Sequence, residues 1–316
     1  MVRKDALVRS YEGFREVRQK LDGVVNNYEA LSASDLIGKI QSAPFDDPKW
    51  VFRGQKDSRW GLEPGVERLA NEKGISPHVE RVIEREFKRR AHHYLRDLPA
   101  EEDDLEWLAL MQHHGAPTRL LDWTASPYVA TFFAAKSAAS SMPFALWAID
   151  RKSLESEAAR MLGTEESGWF SSPENFRRVY HNLFPDDLYL VIPVEPRRMN
   201  ERLTIQQGLF LCPNHPLMGF ETNLRSVLVH AKNNGRDSST WLHKFTIDPS
   251  ARFDLLRLLK KMNISSATLY PGLDGFARSL RTNTEILTRE EWYSGIKSEL
   301  DGQKSRSPRR RASRLR

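Results

Sequence analysis

Three short clusters of polar residues have the types and spacing to do chemistry. The first is Phe52-Arg53-Gly54-Gln55 (FRGQ), which ends an apolar run. An arginine at such a place can grip a phosphate or a carboxylate through two parallel hydrogen bonds. The glycine after it lets a ligand approach the backbone closely. The competing interpretation is a structural arginine paired with a buried acid such as Asp122, and so short a motif does not decide between the two.

The second cluster is QHHGAPTRLLDWT at residues 112–124, a dense set of polar and aromatic groups between apolar segments. Polar groups that are buried need hydrogen-bond partners, which a shared polar pocket would supply. His113, His114 and Asp122 also raise the possibility of a metal site. Adjacent residues of a helix point about 100° apart, so the two histidines do not easily share one ion. No third histidine lies at a ligand-like spacing, so we predict no metal.

The third cluster is Gln206-Gln207-Gly208, which we expect at the opening of a strand. Each amide both donates and accepts, so the pair could bind a sugar hydroxyl or a carboxamide. Alternatively, the two side chains satisfy neighbouring backbone groups at the edge of a sheet. Both interpretations stay open at this point.

The elements that position these clusters follow from hydrophobic periodicity and from helix-end signals. The pattern predicts helices over residues 10–42, 77–98 and 101–114, and within the first range a second helix starts near Ser32. It predicts three more helices, which begin at Pro127, follow Pro249 and lie within 267–281. It predicts strands over residues 50–55, 144–150, 188–194, 203–212 and 241–248, leaves 118–124 extended or irregular, and marks 151–187 as an insertion. Because regular βαβ alternation is missing, we expect an α+β fold with a mixed or antiparallel central sheet and helices at both ends.

Composition restricts the class of protein. The 316 residues include one cysteine, Cys212, which excludes an intramolecular disulfide and a cysteine-based zinc site. Its place at the end of the run GLFLC indicates the core of a strand. No apolar run is long enough to span a bilayer, and the first residues lack the apolar stretch of a signal peptide. We therefore expect a soluble, cytoplasmic protein that does not contact a membrane.

Charge is concentrated at one end of the chain. The net charge is +6, yet residues 304–316 hold seven Lys/Arg and no acid, which leaves residues 1–303 at −1. We expect an N-terminal helix over 1–30, an α+β domain over 31–290 and a disordered basic tail over 304–316. Such a tail could hold RNA, DNA or an acidic partner by a salt-sensitive attraction, or simply keep the chain in solution.

Five segments follow one another in the order typical of a known family. They are FRGQ, QHHGAPTRLLDWTASPYVATFFA, LWAID, RLTIQQGLF and LYPGLDGFARSLR, and over about residues 30–285 the chain resembles the FRG domain family. The order of elements is also similar to that of ADP-ribosyltransferases. Those enzymes place an arginine on the first core strand, Ser or Thr on a second strand that leads into an Ala/Phe-rich helix, and a Glu or Gln pair at the third.

That resemblance implies an ADP-ribosyltransferase-like fold, NAD as co-substrate and a set of site residues. Arg53 would hold the NAD phosphates or the adenosine ribose, and Gln207 would take the place of the catalytic glutamate. Trp123 or Tyr128 would stack on the nicotinamide ring. The implied catalytic residues are Arg53, Asp122 and Gln207, and the implied NAD-binding residues are Arg53, Gly54, Gln55, His113, His114, Thr118, Arg119, Trp123 and Thr124. Both histidines would face the same cleft.

A glutamine keeps the hydrogen bond of a catalytic glutamate but lacks its negative charge, which is usually a large catalytic contribution. Another acid, Asp122 or Glu201, could supply that charge. Otherwise the reaction is slower or the domain only binds its ligand.

The sequence thus leads to an NAD-dependent ADP-ribosyltransferase that modifies a macromolecule. The first acceptor class is RNA or DNA, because of the basic tail, and the second is protein. The resemblance suggests a bacterial toxin or anti-phage effector, with an antitoxin protein as a partner. Alternatives are a non-catalytic nucleotide- or nucleic-acid-binding module, a nuclease or hydrolase that uses His113 or His114 with Asp122, and an adaptor in which FRGQ and QQG only pack.

Overall fold

The computed structural model describes residues 18–164, 168–185 and 187–287, together with Glu291, Ser294 and residues 296–299. The chain divides into two compact units, one ending at Ile264 and the other beginning at Ser265, so the division falls inside the predicted 31–290 domain. The predicted basic tail, 304–316, lies outside the described residues, as do residues 1–17 of the predicted N-terminal helix.

A mixed sheet of seven strands forms the centre of the first unit, counted over the described ranges. The strands are β1 (Asn26–Ala30), β2 (Trp50–Gln55), β3 (Leu121–Thr124), β4 (Phe144–Asp150), β5 (Val191–Val194), β6 (Gly208–Pro213) and β7 (Leu242–Ile247). They lie in the order β1-β7-β4-β2-β3-β6-β5. β1 and β7 pair in parallel, and the other neighbours are antiparallel. The predicted α+β class with a mixed or antiparallel sheet is therefore confirmed.

Helices surround this sheet. In the first unit they are α1 (Ala33–Ile40), α2 (Gly65–Lys73), α3 (Val79–Ala91), α4 (Asp104–His113), α5 (Pro127–Ser137), α6 (Arg151–Met161), α7 (Pro173–Tyr180), α8 (Glu201–Ile205), α9 (Phe220–Asn233) and α10 (Arg252–Lys261). The second unit holds α11 (Ser266–Leu269) and α12 (Leu273–Ile286), which match the predicted turn and last helix. Within the described part of the chain, no helix is both long and apolar enough to cross a membrane.

Local signals explain the helix that packs on the centre of the sheet. The hydroxyl of Ser126 accepts a hydrogen bond from the N–H of Val129, and Pro127 occupies the first turn, where no donor is needed. α5 is buried on most of its surface and lies against β2. The Arg252 side chain of α10 donates to the carbonyl of Ala135 on α5 at 2.8 Å. The two helices thus form a layer on one face of the sheet.

The predicted helix over residues 10–42 is wrong for residues 18–30. Gly23 has a positive φ of 77°, which interrupts a helix, and β1 follows at Asn26. β1 pairs along its whole length with β7, and the Tyr28 ring stacks on Phe245 with centroids 5.1 Å apart. The apolar spacing in this segment matched a helix, but pairing with a strand more than 200 residues away decided its structure.

Other boundaries differ as well. α3 ends at Ala91 rather than near residue 98. The segment 151–187, predicted as an irregular or helical insertion, contains α6 and α7, in agreement with its helical option. α2 and α9 were not predicted. The predicted strand over 203–212 is helical at its beginning, because α8 covers Glu201–Ile205 and β6 begins only at Gly208. Cys212 lies buried in β6, as expected, and burial raises the pKa of its thiol to about 12.

Candidate functional site

The FRGQ segment borders a large cavity, here called the Arg53 cavity. On β2, β4 and β7, Arg53 lies opposite Trp147, and Trp147 lies opposite Lys244. Directly paired residues point to the same face of a sheet, so these three side chains form one wall. The cavity has a volume of about 960 Å³, and residues from the segment before β1, the loop after β2 and the start of α9 complete it. This volume is within the usual range for small-molecule sites.

Positive charge dominates the lining of the Arg53 cavity. Its basic residues are Lys20, Arg53, Lys56, Arg59, Arg68 and Lys244, and its acidic residues are Asp22, Glu63 and Glu221. A cleft with an excess of one sign of charge raises the local concentration of ligands of the other sign. The lining therefore favours an anionic ligand.

Arg53 sits where β2 and β3 separate. The two strands share only the pair Phe52 and Thr124, and beyond it Nη1 of Arg53 donates to the backbone oxygen of Asp122 at 2.6 Å. The carboxylate of Asp122 is 61% exposed and 4.0 Å away, so it is a weak partner. Nε of Arg53 is buried and has no hydrogen-bond partner among the described residues. Burial lowers the pKa of Arg53 to about 10; the charge of Asp122 opposes this and that of Arg68 adds to it.

The next two residues of FRGQ have packing roles. A Cβ at Gly54 would lie 1.9 Å from the carbonyl oxygen of Ala130, so the glycine lets α5 approach the sheet. The side-chain amide of Gln55 donates to the carbonyl of Gly61 at 2.8 Å and its oxygen accepts from Trp147 Nε1 at 2.7 Å. Both residues border the cavity. Gln55 fixes the loop and the indole that line it.

The second cluster forms a chain of hydrogen bonds. Thr118, fully buried, donates to the side-chain oxygen of Gln112 at 2.6 Å, and the Gln112 amide donates to the Asp122 carboxylate at 3.0 Å. Asp122 lines a second, small polar pocket of about 30 Å³ with His113 and Gln206. Thr118 lines neither this pocket nor the Arg53 cavity and acts by orienting Gln112.

The two histidines face different cavities, so the prediction of one shared cleft is wrong. His113 lines the small polar pocket, where burial, followed by the charges of His114 and Arg202, lowers the pKa of its imidazole. His114 borders an apolar cavity of about 750 Å³ beside α3. Successive helical residues point in different directions, which accounts for the split. Across the described ranges, no three His, Cys, Asp or Glu side chains are grouped to hold a metal ion.

Arg119 was predicted to bind the cofactor, but it lies in the core and lines none of these cavities. Its Nε is 2.6 Å from the Glu80 carboxylate, and Nη1 donates to the carbonyl of Tyr180 at 3.0 Å. The guanidinium also stacks 4.3 Å above the Tyr180 ring. All three contacts are internal, so Arg119 is a structural residue.

Trp123 and Thr124 are also turned inward. Trp123 is 3% exposed and belongs to the hydrophobic core, so it is not placed to stack on a ligand. Tyr128, the other predicted stacking residue, accepts a hydrogen bond from Gln41. Thr124 donates to the backbone oxygen of Gln206 at 2.6 Å. This bond ties the third cluster to the end of β3.

Gln207 lies apart from the Arg53 cavity. It follows α8 with a positive φ of 49°, its side chain is exposed, and it lines none of the cavities described here. Glu201, at the start of α8, is exposed as well. Instead, Glu221 of α9 lines the cavity. No sequence signal near FRGQ reveals Glu221. Its carboxylate accepts a hydrogen bond from the N–H of Leu62, which lies 159 residues earlier in the chain.

Comparison with known proteins gives one match. The family model described as the FRG domain matches residues 48–142, which include β2, β3, α5 and both the FRGQ and QHHGAPTRLLDWT motifs. No curated protein and no solved structure matches the chain. The resemblance to the FRG domain family is therefore confirmed for residues 48–142, a shorter stretch than the predicted 30–285.

Proposed function

We propose that the protein is an NAD-dependent ADP-ribosyltransferase with an ADP-ribosyltransferase-like fold, and that NAD binds in the Arg53 cavity. The observation that carries the proposal is the Arg53 guanidinium, whose buried Nε has no partner within the described chain and whose side chain borders a basic cavity of about 960 Å³. An unused buried donor costs free energy unless a ligand satisfies it. A phosphate oxygen of NAD is a suitable acceptor.

Other lining residues support a nucleotide. Lys244 lies 4.7 Å above the Trp147 ring and donates to the carbonyl of Ser58 at 2.6 Å, which fixes its charge on the cavity wall. Burial lowers the pKa of Lys244, and the charges of Glu221 and Asp57 oppose this. Trp60 is 46% exposed and offers an aromatic face for the adenine or nicotinamide ring.

In the proposed reaction, an acceptor group displaces nicotinamide from the ribose carbon. The protein positions both partners and stabilises the positive charge that develops on the sugar. RNA or DNA is the first acceptor class, with residues 304–316 as a basic tether, and protein is the second. We further propose a cytoplasmic bacterial toxin or anti-phage effector that an antitoxin protein restrains.

The test is incubation of the purified chain with labelled NAD and whole-cell lysate, followed by RNase, DNase or protease. We expect label in one fraction with the intact protein, and its loss with Arg53→Ala. Arg53→Lys keeps the positive charge but loses the planar guanidinium with its paired donors, so it should restore little of the label transfer. The control is Arg89→Ala, because Arg89 is exposed and, among the residues that the structure describes, pairs with Glu86 on α3. Absence of both label transfer and nicotinamide release with the intact protein would refute the enzyme.

A second candidate is a non-catalytic nucleotide-binding module. It is favoured by the exposure of Gln207 outside the Arg53 cavity, since that residue holds the catalytic position in the resemblance. Calorimetry separates the two candidates. NAD or AMP binding that depends on Arg53 but releases no nicotinamide would establish the binding module.

A further inference from the structure

Three carboxyl groups line the Arg53 cavity, and they differ in how they are held. Asp22 lies on an exposed turn, and Glu63 is half-buried with no side-chain hydrogen bond to the described residues. Glu221, at the start of α9, is fixed by the fold. It is therefore the acid with a defined position in the cavity, and the acids considered from the sequence, Asp122 and Glu201, do not line it.

A short chain of contacts connects Glu221 with FRGQ. Its Oε1 accepts a hydrogen bond from the N–H of Leu62 at 2.9 Å. A Cβ on Gly61 would lie 2.8 Å from that oxygen, so the glycine leaves room for the carboxylate. The carbonyl of Gly61 accepts from Gln55, and Gln55 follows Arg53 and Gly54 on β2. Oε2 of Glu221 accepts no hydrogen bond from the described residues, so it is available to a ligand.

The surroundings of Glu221 favour proton uptake. Burial raises the pKa of this carboxyl and the charge of Glu63 adds to the increase, whereas the N–H of Leu62 and the charges of Lys20 and Lys244 oppose it. Burial disfavours the charged form of a carboxyl group, so a poorly solvated carboxylate is stabilised when it binds a proton. A general base works best when its pKa approaches the working pH.

We propose that Glu221 is the general base of the Arg53 cavity. This inference rests on the proposed transferase function. The bond between the ribose C1′ and the nicotinamide nitrogen breaks, and its electron pair leaves with nicotinamide, which becomes neutral. The acceptor nucleophile, an O–H or N–H group, forms the new bond to C1′. Its proton passes to Oε2 of Glu221 and then to solvent.

The test compares the intact protein with Glu221→Gln, Glu221→Asp and the control Glu72→Gln, whose residue is exposed and pairs with Lys73. Glutamine retains an oxygen that can accept from Leu62, so Glu221→Gln should fold and bind NAD normally. We expect nicotinamide release to fall about 10²–10⁴-fold in this variant. The rise in rate with pH that we expect for the intact protein should disappear in Glu221→Gln. Aspartate keeps a carboxyl group and should retain part of the rate and the pH dependence.

The outcomes distinguish the role of Glu221 from the proposed transferase function. If Glu221→Gln cleaves NAD with the rate and the pH profile of the intact protein, Glu221 is not the general base. The proposal that the protein is a transferase then still stands. An intact protein that binds no NAD overturns the transferase and this inference with it. If Glu221→Gln unfolds, the Asp variant decides. A folded Glu221→Asp that retains part of the rate and the pH dependence supports the carboxyl as base, and one without activity despite normal NAD binding contradicts it.

Discussion

Replacement of Gly54 by alanine should damage the fold rather than the ligand site. The new Cβ would lie 1.9 Å from the carbonyl oxygen of Ala130 and 2.7 Å from the backbone nitrogen of Ala134. Both contacts are with the backbone of α5, so no side-chain rotation relieves them. The helix, which is largely buried and packs on β2, must move away from that strand.

The expected magnitude follows from measured costs of overpacking. Inserted methyl groups in well-packed cores cost about 1–3 kcal/mol, and a clash with the backbone of α5 belongs at or above the upper end. Loss of about 3 kcal/mol lowers Tm by roughly 6–12 °C in a unit of this size. Gly38→Ala is the matched control, because Gly38 is exposed on α1 and a Cβ there meets nothing within 4 Å. It should stabilise the helix by about 0.5–1 kcal/mol.

Thermal unfolding and NAD titration of both variants test this reasoning. We expect Gly54→Ala to melt well below the intact protein and Gly38→Ala to melt at or slightly above it. If Gly54→Ala melts within about 2 °C of the intact protein yet loses ligand binding, the glycine serves ligand approach and the packing argument is wrong.

Three further outcomes can be checked by stability and labelling. Glu80→Ala should cost about 3–5 kcal/mol in urea unfolding because it leaves Arg119 buried without its partner, and a double change of both residues to methionine should cost less. Burial raises the pKa of Glu67 to about 7 from its ordinary 4.5, while the Phe220 N–H and Arg18 oppose this increase. Because the folded state holds the proton more tightly, the contribution of Glu67 to stability is greatest below pH 4.5 and is lost as the pH rises through 7. Glu67→Gln should therefore flatten the pH dependence of Tm. Cys212, with its raised pKa, should resist thiol reagents in the native state at about pH 8 and react once urea unfolds the chain; rapid native labelling would contradict its burial.

Elements with strong local signals were predictable from the sequence. The seven apolar-rich residues of β4 and the proline that starts α5 placed both elements within a residue or two of their observed bounds. β1 was not predictable, because its five residues carry no alternating apolar pattern and depend on β7 for pairing. α9 was missed because its polar first turn, which holds Glu221, resembles a loop.

The candidate site was predictable only in part. Arg53 and the motifs FRGQ and QHHGAPTRLLDWT were visible, since they lie in one contiguous segment that matches the family. Orientation was not visible: His113 and His114 are neighbours in sequence but face different cavities, and Arg119 turns into the core toward Glu80. Side-chain direction depends on tertiary packing, which a motif does not encode.

The residues that line the Arg53 cavity come from two parts of the sequence. Arg53 and Trp60 come from the segment that matches the family, whereas Lys20, Glu221 and Lys244 come from segments outside it. Two proteins with the same FRG signature can therefore present the same arginine to different ligands, because selection can alter the outer walls without touching the signature. A recombinant fragment cut to residues 48–142 would keep the hallmark sequence and lose nearly half of the residues that line the Arg53 cavity.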